Sequence, residues 1–357
     1  MDMEDKGHPW EDKISSAKQL GGIETSILDN GAGRGVRVAW INTGTGLRYK
    51  IVIDRSMDIA EAFFNEHSLA WLSHSGITKP EPFSNHGLEW LRTFGGGLLV
   101  TCGLSHIGGP EKDENSQRGL HGEISNIPAE IESIIQPDPM NGNLDMSITG
   151  KIRQTQVFGP TLELKRTISG TLGNAVLKID DVVTNLGNRE APLMLLYHLN
   201  FGWPLVDEGA NILWKGKWKS RGSDSDNEVF NTKNNFRKCP APLPSHSGAG
   251  EAVAFIDIEE NLNGNCVCGL FNANLNLAVS IRFKKKQLPW LTNWQHWGKG
   301  EYVTGLEPGT HQPIGQNEVN KKGELTFLDP GESREFNLEI NLISEDRRIR
   351  EFIDSTT

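Results

Sequence analysis

Two neighbouring segments in the middle of the chain, residues 146–153 (MSITGKIR) and 162–169 (LELKRTIS), decide the fold class. Apolar and polar residues alternate in both segments, which is the pattern of half-buried β-strands. Phe158-Gly159-Pro160, between them, indicates a turn. Residues 175–184 (AVLKIDDVVT) continue the series. This stretch therefore predicts a run of antiparallel strands.

Strand signals also dominate the rest of the chain, and helical signals are few. Apolar or alternating runs occupy residues 36–42 (VRVAWIN), 49–54 (YKIVID), 253–258 (VAFIDI), 275–283 (LNLAVSIRF) and 335–343 (EFNLEINLI). Short helices are predicted only at residues 14–20 and 88–94, so a parallel α/β sheet is disfavoured. The chain is predicted to be all-β, a sandwich or barrel of antiparallel strands with few short helices.

A single large domain is predicted over residues 25–345, because no internal repeat or long linker interrupts the strand series. Residues 1–24 are predicted to form an N-terminal extension and residues 346–357 a C-terminal tail. Residues 219–250 are rich in Ser, Asn, Gly and Pro, which predicts a long surface loop.

Composition narrows the function classes. The formal net charge of the 357 residues is −10, which argues against nucleic acid as a partner because such binding needs Lys and Arg to neutralise phosphates. No segment is long and apolar enough to span a bilayer, so no membrane partner is predicted. The N-terminal sequence MDMEDKGHPWEDK lacks the basic start and apolar run of a signal peptide. We therefore expect a soluble, cytoplasmic protein.

Residues able to carry chemistry occur in short, separate segments: 54–58 (DRSMD), 95–103 (GGGLLVTCG), 120–126 (LHGEISN), 197–202 (YHLNFG), 294–297 (WQHW) and 305–311 (GLEPGTH). Each has a structural alternative, since a histidine beside an apolar strand is often a hydrogen-bonded core residue. Glu307 is different, because a carboxylate between Leu306 and Pro308 is costly if it is buried and unpaired. The ten Trp residues offer flat faces of the kind on which sugar rings stack, although most are expected in the core.

Neither a metal site nor a cofactor is predicted. The histidines show no HxH or HxxxH spacing, and Cys266-Val267-Cys268 has no second cysteine pair that would complete a zinc site. The four cysteines are predicted to be buried, reduced thiols.

The segments 120–126 (LHGEISN), 197–202 (YHLNFG) and 305–311 (GLEPGTH) resemble the galactose mutarotase-like superfamily, which includes the aldose 1-epimerases. More narrowly, RSMDI (55–59), GGGLLVTCGL (95–104), LHGEISNIPA (120–129) and LEPGTH (306–311) together resemble an uncharacterised aldose 1-epimerase-like branch. The resemblance covers roughly residues 25–345. It implies a large antiparallel β-supersandwich with a sugar bound in an open cleft on one sheet.

The resemblance also implies residue roles. His198 matches the general acid that protonates the ring oxygen, and Glu307 matches the general base that deprotonates the anomeric hydroxyl. His121 matches a second histidine on the ring-oxygen side, and Arg55 matches an arginine that binds sugar hydroxyls. The further predicted substrate-binding residues are Asp58, Asn126, Trp294, Gln295 and His311. The family's substrate-binding Asp has no clear match, and the candidates for its role are Asp207, Asp257, Gln295 and His296.

The predicted function is therefore anomer exchange on a small-molecule sugar by a monomer or homodimer, without a cofactor. Two alternatives remain open. One is an epimerase, lyase or hydrolase of an anionic or otherwise modified sugar on the same fold, since several Arg in the cleft would grip phosphate or carboxylate groups. The other is a non-catalytic carbohydrate-binding protein. The acid–base pair disfavours this last reading, because binding alone needs no proton transfer.

Overall fold

The computed structural model describes residue 10 and residues 12–81, 86–113, 117–248 and 250–357. Its strands in chain order are β1 Gly22–Ile27, β2 Arg37–Asn42, β3 Leu47–Val52, β4 Asp58–Phe64, β5 His67–Ser68, β6 Val100–Leu104, β7 Glu111–Lys112, β8 Gln117–Arg118, β9 Glu130–Ile135, β10 Asp145–Thr155, β11 Thr161–Thr171, β12 Val176–Asn185, β13 Ala191–Phe201, β14 Asn211–Trp214, β15 Gly216–Ser220, β16 Ala252–Ile258, β17 Asn265–Asn272, β18 Leu277–Lys284, β19 Trp290–Gly298, β20 Glu301–Gly309, β21 Thr326–Leu328 and β22 Ser333–Ile343.

Helices are few and short, as predicted: α1 Trp90–Thr93, α2 Asp224–Val229, α3 Gln316–Lys321 and α4 Asp346–Thr356. Single 3-10 turns occur at Ala17–Gln19, Gly31–Gly33, Ile124–Asn126, Pro139–Asn141 and Pro244–His246. The helix predicted at residues 14–20 is thus one 3-10 turn, and the one predicted at residues 88–94 is α1. None of the helices in the described part of the chain has the length and apolar character needed to cross a membrane.

The strands form three main antiparallel sheets. The first contains β1 to β5 in chain order. The second has eight strands in the order β14-β17-β18-β22-β12-β11-β10-β9. The third has seven, with β15-β16-β19-β20-β13-β21 in one path and β6 paired to β13. This arrangement confirms the predicted all-β, antiparallel sandwich.

The alternating segments that predicted the fold form the hairpin β10–β11, whose register runs from Asp145↔Thr171 to Thr155↔Thr161. Buried and partly exposed residues alternate along both strands. The buried face joins the main apolar core, which contains residues of all three sheets, among them Ile51, Ile148 and Leu199. A large shared core of this kind stabilises the sheets against one another.

Strands β13 and β20 are buried on both faces and position the candidate site. Tyr197 and Leu199 of β13 point into the main core, so the intervening His198 points to the opposite face. The register pairs Leu196 with Gly309 and Leu199 with Leu306, so His198 and Glu307 lie on adjacent strands between these pairs.

The segment 221–251, which we call the strap, connects β15 to β16 beside this face, and the structure describes all of it except residue 249. It covers most of the predicted surface loop, but it contains α2 and the turn Pro244–His246. Val229 and Phe230 of the strap pack on Ala252 and Ala254 of β16. The strap is therefore anchored to the sheet rather than extended over the surface.

Residues 346–357, the predicted C-terminal tail, contain α4, whose Ile349 and Phe352 pack against Leu213, Ala278 and Ile343. Residues 1–9 and 11 of the predicted N-terminal extension lie outside the described residues. All four cysteines are buried free thiols, as predicted.

Candidate active site

A cleft of about 600 Å³ opens on the face of the seven-stranded sheet that points away from the main core. Its aromatic walls are formed by Trp71, Trp90, Phe94 and Trp294. The polar groups His121, His198 and Glu307 converge in it. A concave, largely apolar cleft with a few converging polar groups is the usual form of a small-molecule site.

His198 and Glu307 are the central polar pair. The Nε2 atom of His198 lies 3.4 Å from Oε1 of Glu307, and both side chains are almost fully buried. Glu307 Oε1 and His198 Nδ1 have no hydrogen-bond partner among the described residues. Buried polar atoms normally find partners, so these two atoms are suited to a ligand that completes their hydrogen bonds.

Burial sets the protonation of this pair. It raises the pKa of Glu307 well above its usual range, and the negative charge of Glu251 raises it further. Burial lowers the pKa of His198 to about 4. These opposite shifts favour the arrangement in which the pair holds one transferable proton, on Glu307, beside an uncharged imidazole that can accept a proton.

His121 stands beside His198 on a strained turn. Its backbone adopts φ +57°, a left-handed conformation that is costly outside glycine and often marks functional sites. The turn requires Gly122 as the next residue, because a Cβ there would lie 2.4 Å from the carbonyl oxygen of Gly103. The rings of His121 and His198 are perpendicular with centroids 5.7 Å apart.

The tautomer of His121 follows from its hydrogen bond. Its Nδ1 accepts the backbone N–H of Gly108 at 3.4 Å, so the proton of the neutral ring resides on Nε2. Burial, followed by the proximity of His198, lowers the pKa of His121 well below its usual value. His121 can therefore act as a neutral hydrogen-bond donor.

An ion-paired group on the strap completes the cleft. Trp294 packs edge-on against His198 with centroids 5.4 Å apart, and its Nε1 donates to Oε2 of Glu251 at 2.9 Å. Arg221 donates to Oε1 of Glu251 at 2.7 Å and to both carboxylate oxygens of Asp226 at 3.0 Å. Apart from Trp294, sequence reasoning missed these residues. Nothing in the sequence distinguishes Arg221 and Glu251 from ordinary surface charges.

Arg55 and Asp58 lie outside this cleft, in a smaller cavity of about 90 Å³. Phe94 lines both spaces and separates them. Arg55 donates to Thr78 Oγ1 at 2.9 Å, and Asp58 accepts the hydroxyl of Thr101 at 2.6 Å. The structure therefore does not place these two residues beside His198.

Three other predicted binding residues are engaged in internal hydrogen bonds. Asn126 accepts the N–H of Glu81, Gln295 donates to the Phe236 carbonyl, and His311 contacts the Glu324 carbonyl through Nε2. Gln295 points to the opposite side of β19 from Trp294 and His296, since side chains alternate along a strand.

The candidates for the unmatched Asp separate in the same way. Asp257 is exposed and paired with Lys285, whereas His296 lines the cleft and contacts Glu301 at 3.3 Å. Asp207 accepts the backbone N–H of Glu208 at 2.9 Å and does not line the cleft. The cleft thus brings together His121, His198, Trp294 and Glu307. In the described ranges, no three His, Cys, Asp or Glu side chains are grouped so that they would hold a metal ion.

Comparison with known families gives one match. The profile of the family described as "Domain of unknown function (DUF4432)" covers residues 33–342. No curated protein sequence matches the chain.

Solved structures share the fold. A candidate aldose 1-epimerase from Klebsiella pneumoniae superposes with a TM-score of 0.84 at 23% identity, over 93% of this chain and 86% of that one. A galactose mutarotase-like protein from Clostridium acetobutylicum has a TM-score of 0.62 at 14% identity, over 92% and 100% of the chains. A galactose mutarotase related enzyme from Lactobacillus acidophilus has a TM-score of 0.57 at 11% identity, over 85% and 97%. These similarities confirm the mutarotase-like fold that the sequence motifs predict.

Proposed function

The chain belongs to the DUF4432 family and has the mutarotase-like fold, and we propose that it is an isomerase that exchanges sugar anomers in the cleft around His198 and Glu307. The observation that carries the proposal is the buried pair itself. Burial raises the pKa of Glu307 and lowers the pKa of His198, and the two side chains lie 3.4 Å apart. Each has a polar atom without a hydrogen-bond partner among the described residues, beside a cleft large enough for a sugar. Fold similarity alone would not assign an activity.

Anomer exchange requires one proton at the ring oxygen and the removal of another from the anomeric hydroxyl. The ring then opens, the C1–C2 bond rotates, and the same steps run in reverse. A carboxyl and an imidazole that share one proton can supply both transfers without a nucleophile, because each acts as acid in one direction and as base in the other. The resemblance assigns the ring oxygen to His198 and the anomeric hydroxyl to Glu307. In the protonation state that burial favours, the proton resides on Glu307, so it must pass to His198 before these roles can open the ring. Without that transfer, Glu307 would protonate the ring oxygen and His198 would take the anomeric proton.

The surrounding residues suit this reaction. Trp294 is partly exposed and lines the cleft, which favours stacking of the apolar face of a sugar ring on its indole, whereas the buried Trp90 packs on Phe94 behind His198. His121 lines the same cleft, and its Nε2–H can donate to a sugar oxygen. The side chains of the pair are almost fully buried, and this low exposure to water strengthens the electrostatic interactions that guide proton transfer.

The charges of the cleft favour an uncharged sugar over an anionic one. Arg221 is the only Arg or Lys among the described cleft-lining residues, and its guanidinium is already bound to Asp226 and Glu251. A sugar phosphate would have to displace one of these carboxylates. The mutarotase reaction on a neutral aldose is therefore the better fit.

NMR exchange spectroscopy on a panel of aldoses at anomeric equilibrium tests this proposal. We expect the wild-type protein to accelerate exchange for at least one sugar, and Glu307→Gln and His198→Asn to lose at least about a hundredfold of that rate, the usual contribution of a general acid or base. Glu259→Gln, an exposed carboxylate paired with Lys215 away from the cleft, is the matched control and should retain full activity.

Two results would overturn the proposal. If sugars bind but none exchanges faster than in buffer, the protein is a carbohydrate-binding protein. If exchange is fast and unchanged in both cleft variants, other residues carry the proton transfer.

A further inference from the structure

We propose that the Arg221–Glu251 ion pair is a positioning element, which holds Trp294 against His198 and sets the electrostatic field at Glu307. Through it the strap controls the protonation of the reacting pair. The inference rests on the proposed function only in giving Glu307 a part in proton transfer.

Asp226, to which Arg221 is bound, is held rigidly. Asp226 is fully buried in the first turn of α2, where it forms a capping box with Ser223. Its Oδ1 also accepts the backbone N–H of Val253 at 2.8 Å, which ties the strap to β16. Arg221 grips both oxygens of this carboxylate, a bidentate geometry that fixes the plane of a guanidinium.

Glu251 transmits this rigidity to the cleft. One carboxylate oxygen accepts from Arg221 and the other accepts from Trp294 Nε1, so neither is free to turn away. Trp294 in turn contacts His198 edge-on at 5.4 Å and Trp71 at 6.2 Å between centroids. A continuous chain of contacts therefore runs from a buried strap carboxylate to the imidazole of the reacting pair.

The same two charges act on Glu307 with opposite signs. The described titratable or charged groups around Glu307 are His198 of β13, Cys102 of β6, His296 of β19, Glu301 of β20, His121, and Arg221 and Glu251 of the strap. Beyond burial, Glu251 raises the pKa of Glu307 and Arg221 lowers it. The ion pair therefore balances two opposing influences on one carboxyl group.

This balance gives a test in which two substitutions act in opposite directions. Glu251→Gln removes the negative charge but keeps an amide oxygen for Trp294, so the pKa of Glu307 should fall. Arg221→Met removes the positive charge at similar length, so the pKa of Glu307 should rise. Each shift should be on the order of one pH unit, the size expected when a unit charge is removed near a buried carboxyl.

The measurement is a ¹³C NMR titration of glutamate side-chain carboxyls in the ligand-free protein, with the Glu307 resonance identified by its absence in Glu307→Gln. Glu301→Gln is the matched control, because Glu301 lines the same cleft but contacts His296 instead of the Arg221 pair. It should leave the Glu307 titration in place. If a substitution caused a general loss of structure, the Glu307 titration would shift in the same direction in every such variant, whichever charge had been removed.

Opposite shifts in the two variants support the inference. Shifts of the same sign, or no shift in either, overturn it, and Arg221→Met decides alone if Glu251→Gln does not fold. Because no substrate is present, the titration gives its answer even if no sugar exchanges anomers, so a failure of the proposed function remains distinguishable. Where exchange is observed, the part of the pH dependence of the exchange rate that reflects ionisation of Glu307 should shift by the same amount as its NMR titration.

Discussion

Replacing Glu307 with glutamine should stabilise the folded protein at neutral pH while it removes the proton-transfer group. The substitution is nearly isosteric, and the site already favours an uncharged group, since burial raises the pKa of Glu307 well above its usual range. In the unfolded chain the same carboxyl ionises near pH 4.3. Above that pH, folding of the wild-type protein must therefore take up a proton, which glutamine does not require.

The magnitude follows from proton linkage. Between the unfolded and folded pKa of Glu307 the native state binds one more proton than the unfolded state, so the wild-type free energy of unfolding falls by about 1.4 kcal/mol per pH unit. The contribution of this group is thus fully present below pH 4.3 and is lost as pH rises. For each pH unit in which the folded Glu307 stays protonated and the unfolded carboxyl is ionised, the variant should gain about 1.4 kcal/mol relative to the wild type.

Urea unfolding at pH 5, 6 and 7 measures this difference for both proteins. Subtracting the two curves largely removes the contribution of His198, which both proteins retain. The contrary outcome has a clear signature. If His198 and Glu307 formed a charged pair, glutamine would leave a buried imidazolium unpaired, and the variant would be about 3–5 kcal/mol less stable. A variant less stable than the wild type at pH 7 would therefore refute the neutral pair.

Three further predictions follow from the same structure. Burial lowers the pKa of His198 to about 4, so between pH 6.5 and pH 4 only the unfolded histidine binds a proton, and the wild-type protein loses about 3 kcal/mol of stability as the pH falls. His198→Asn should not show this loss. Equal slopes of the free energy of unfolding against pH, measured by urea unfolding of both proteins, would contradict this. Arg166→Met should cost about 3–5 kcal/mol in thermal or urea unfolding, since it leaves the fully buried Asp181 without its partner at 2.7 Å; a loss below 1 kcal/mol would show that Asp181 does not depend on the pair. Gly305→Ala should lower kcat/KM for anomer exchange at least about tenfold with the protein still folded, because a Cβ there would lie 2.5 Å from Glu307 Oε1 and displace it; unchanged kinetics would place the reacting atom elsewhere.

The sequence determined the fold class because a half-buried strand can be recognised from the alternation of apolar and polar residues within its own segment. Strands β10 and β11 alternate between buried and partly exposed residues, and this period of two is legible without any knowledge of their partners. The ordered motifs around His121, His198 and Glu307 also named three residues that converge in the cleft, because these short segments resemble a known superfamily in their order along the chain.

Tertiary structure decided which polar residues meet. Strand β13 is buried along nearly its whole length, so hydrophobicity alone could not tell which face of it bears the site, and His198 faces the cleft only because Tyr197 and Leu199 pack in the core. Arg55 belongs to the same set of motifs, yet Phe94 separates its cavity from the cleft.

Arg221 and Glu251 show the limit most clearly. In sequence they are two charges at the ends of a polar strap, and no local pattern distinguishes them from solvated surface residues. Their importance arises from contacts with Asp226 and Trp294 that form only when the strap folds onto the sheet. Local sequence thus determined which strands are half-buried. Which residues form the site depended on which distant segments pack together, because the burial and the charge around a side chain arise only in the folded protein.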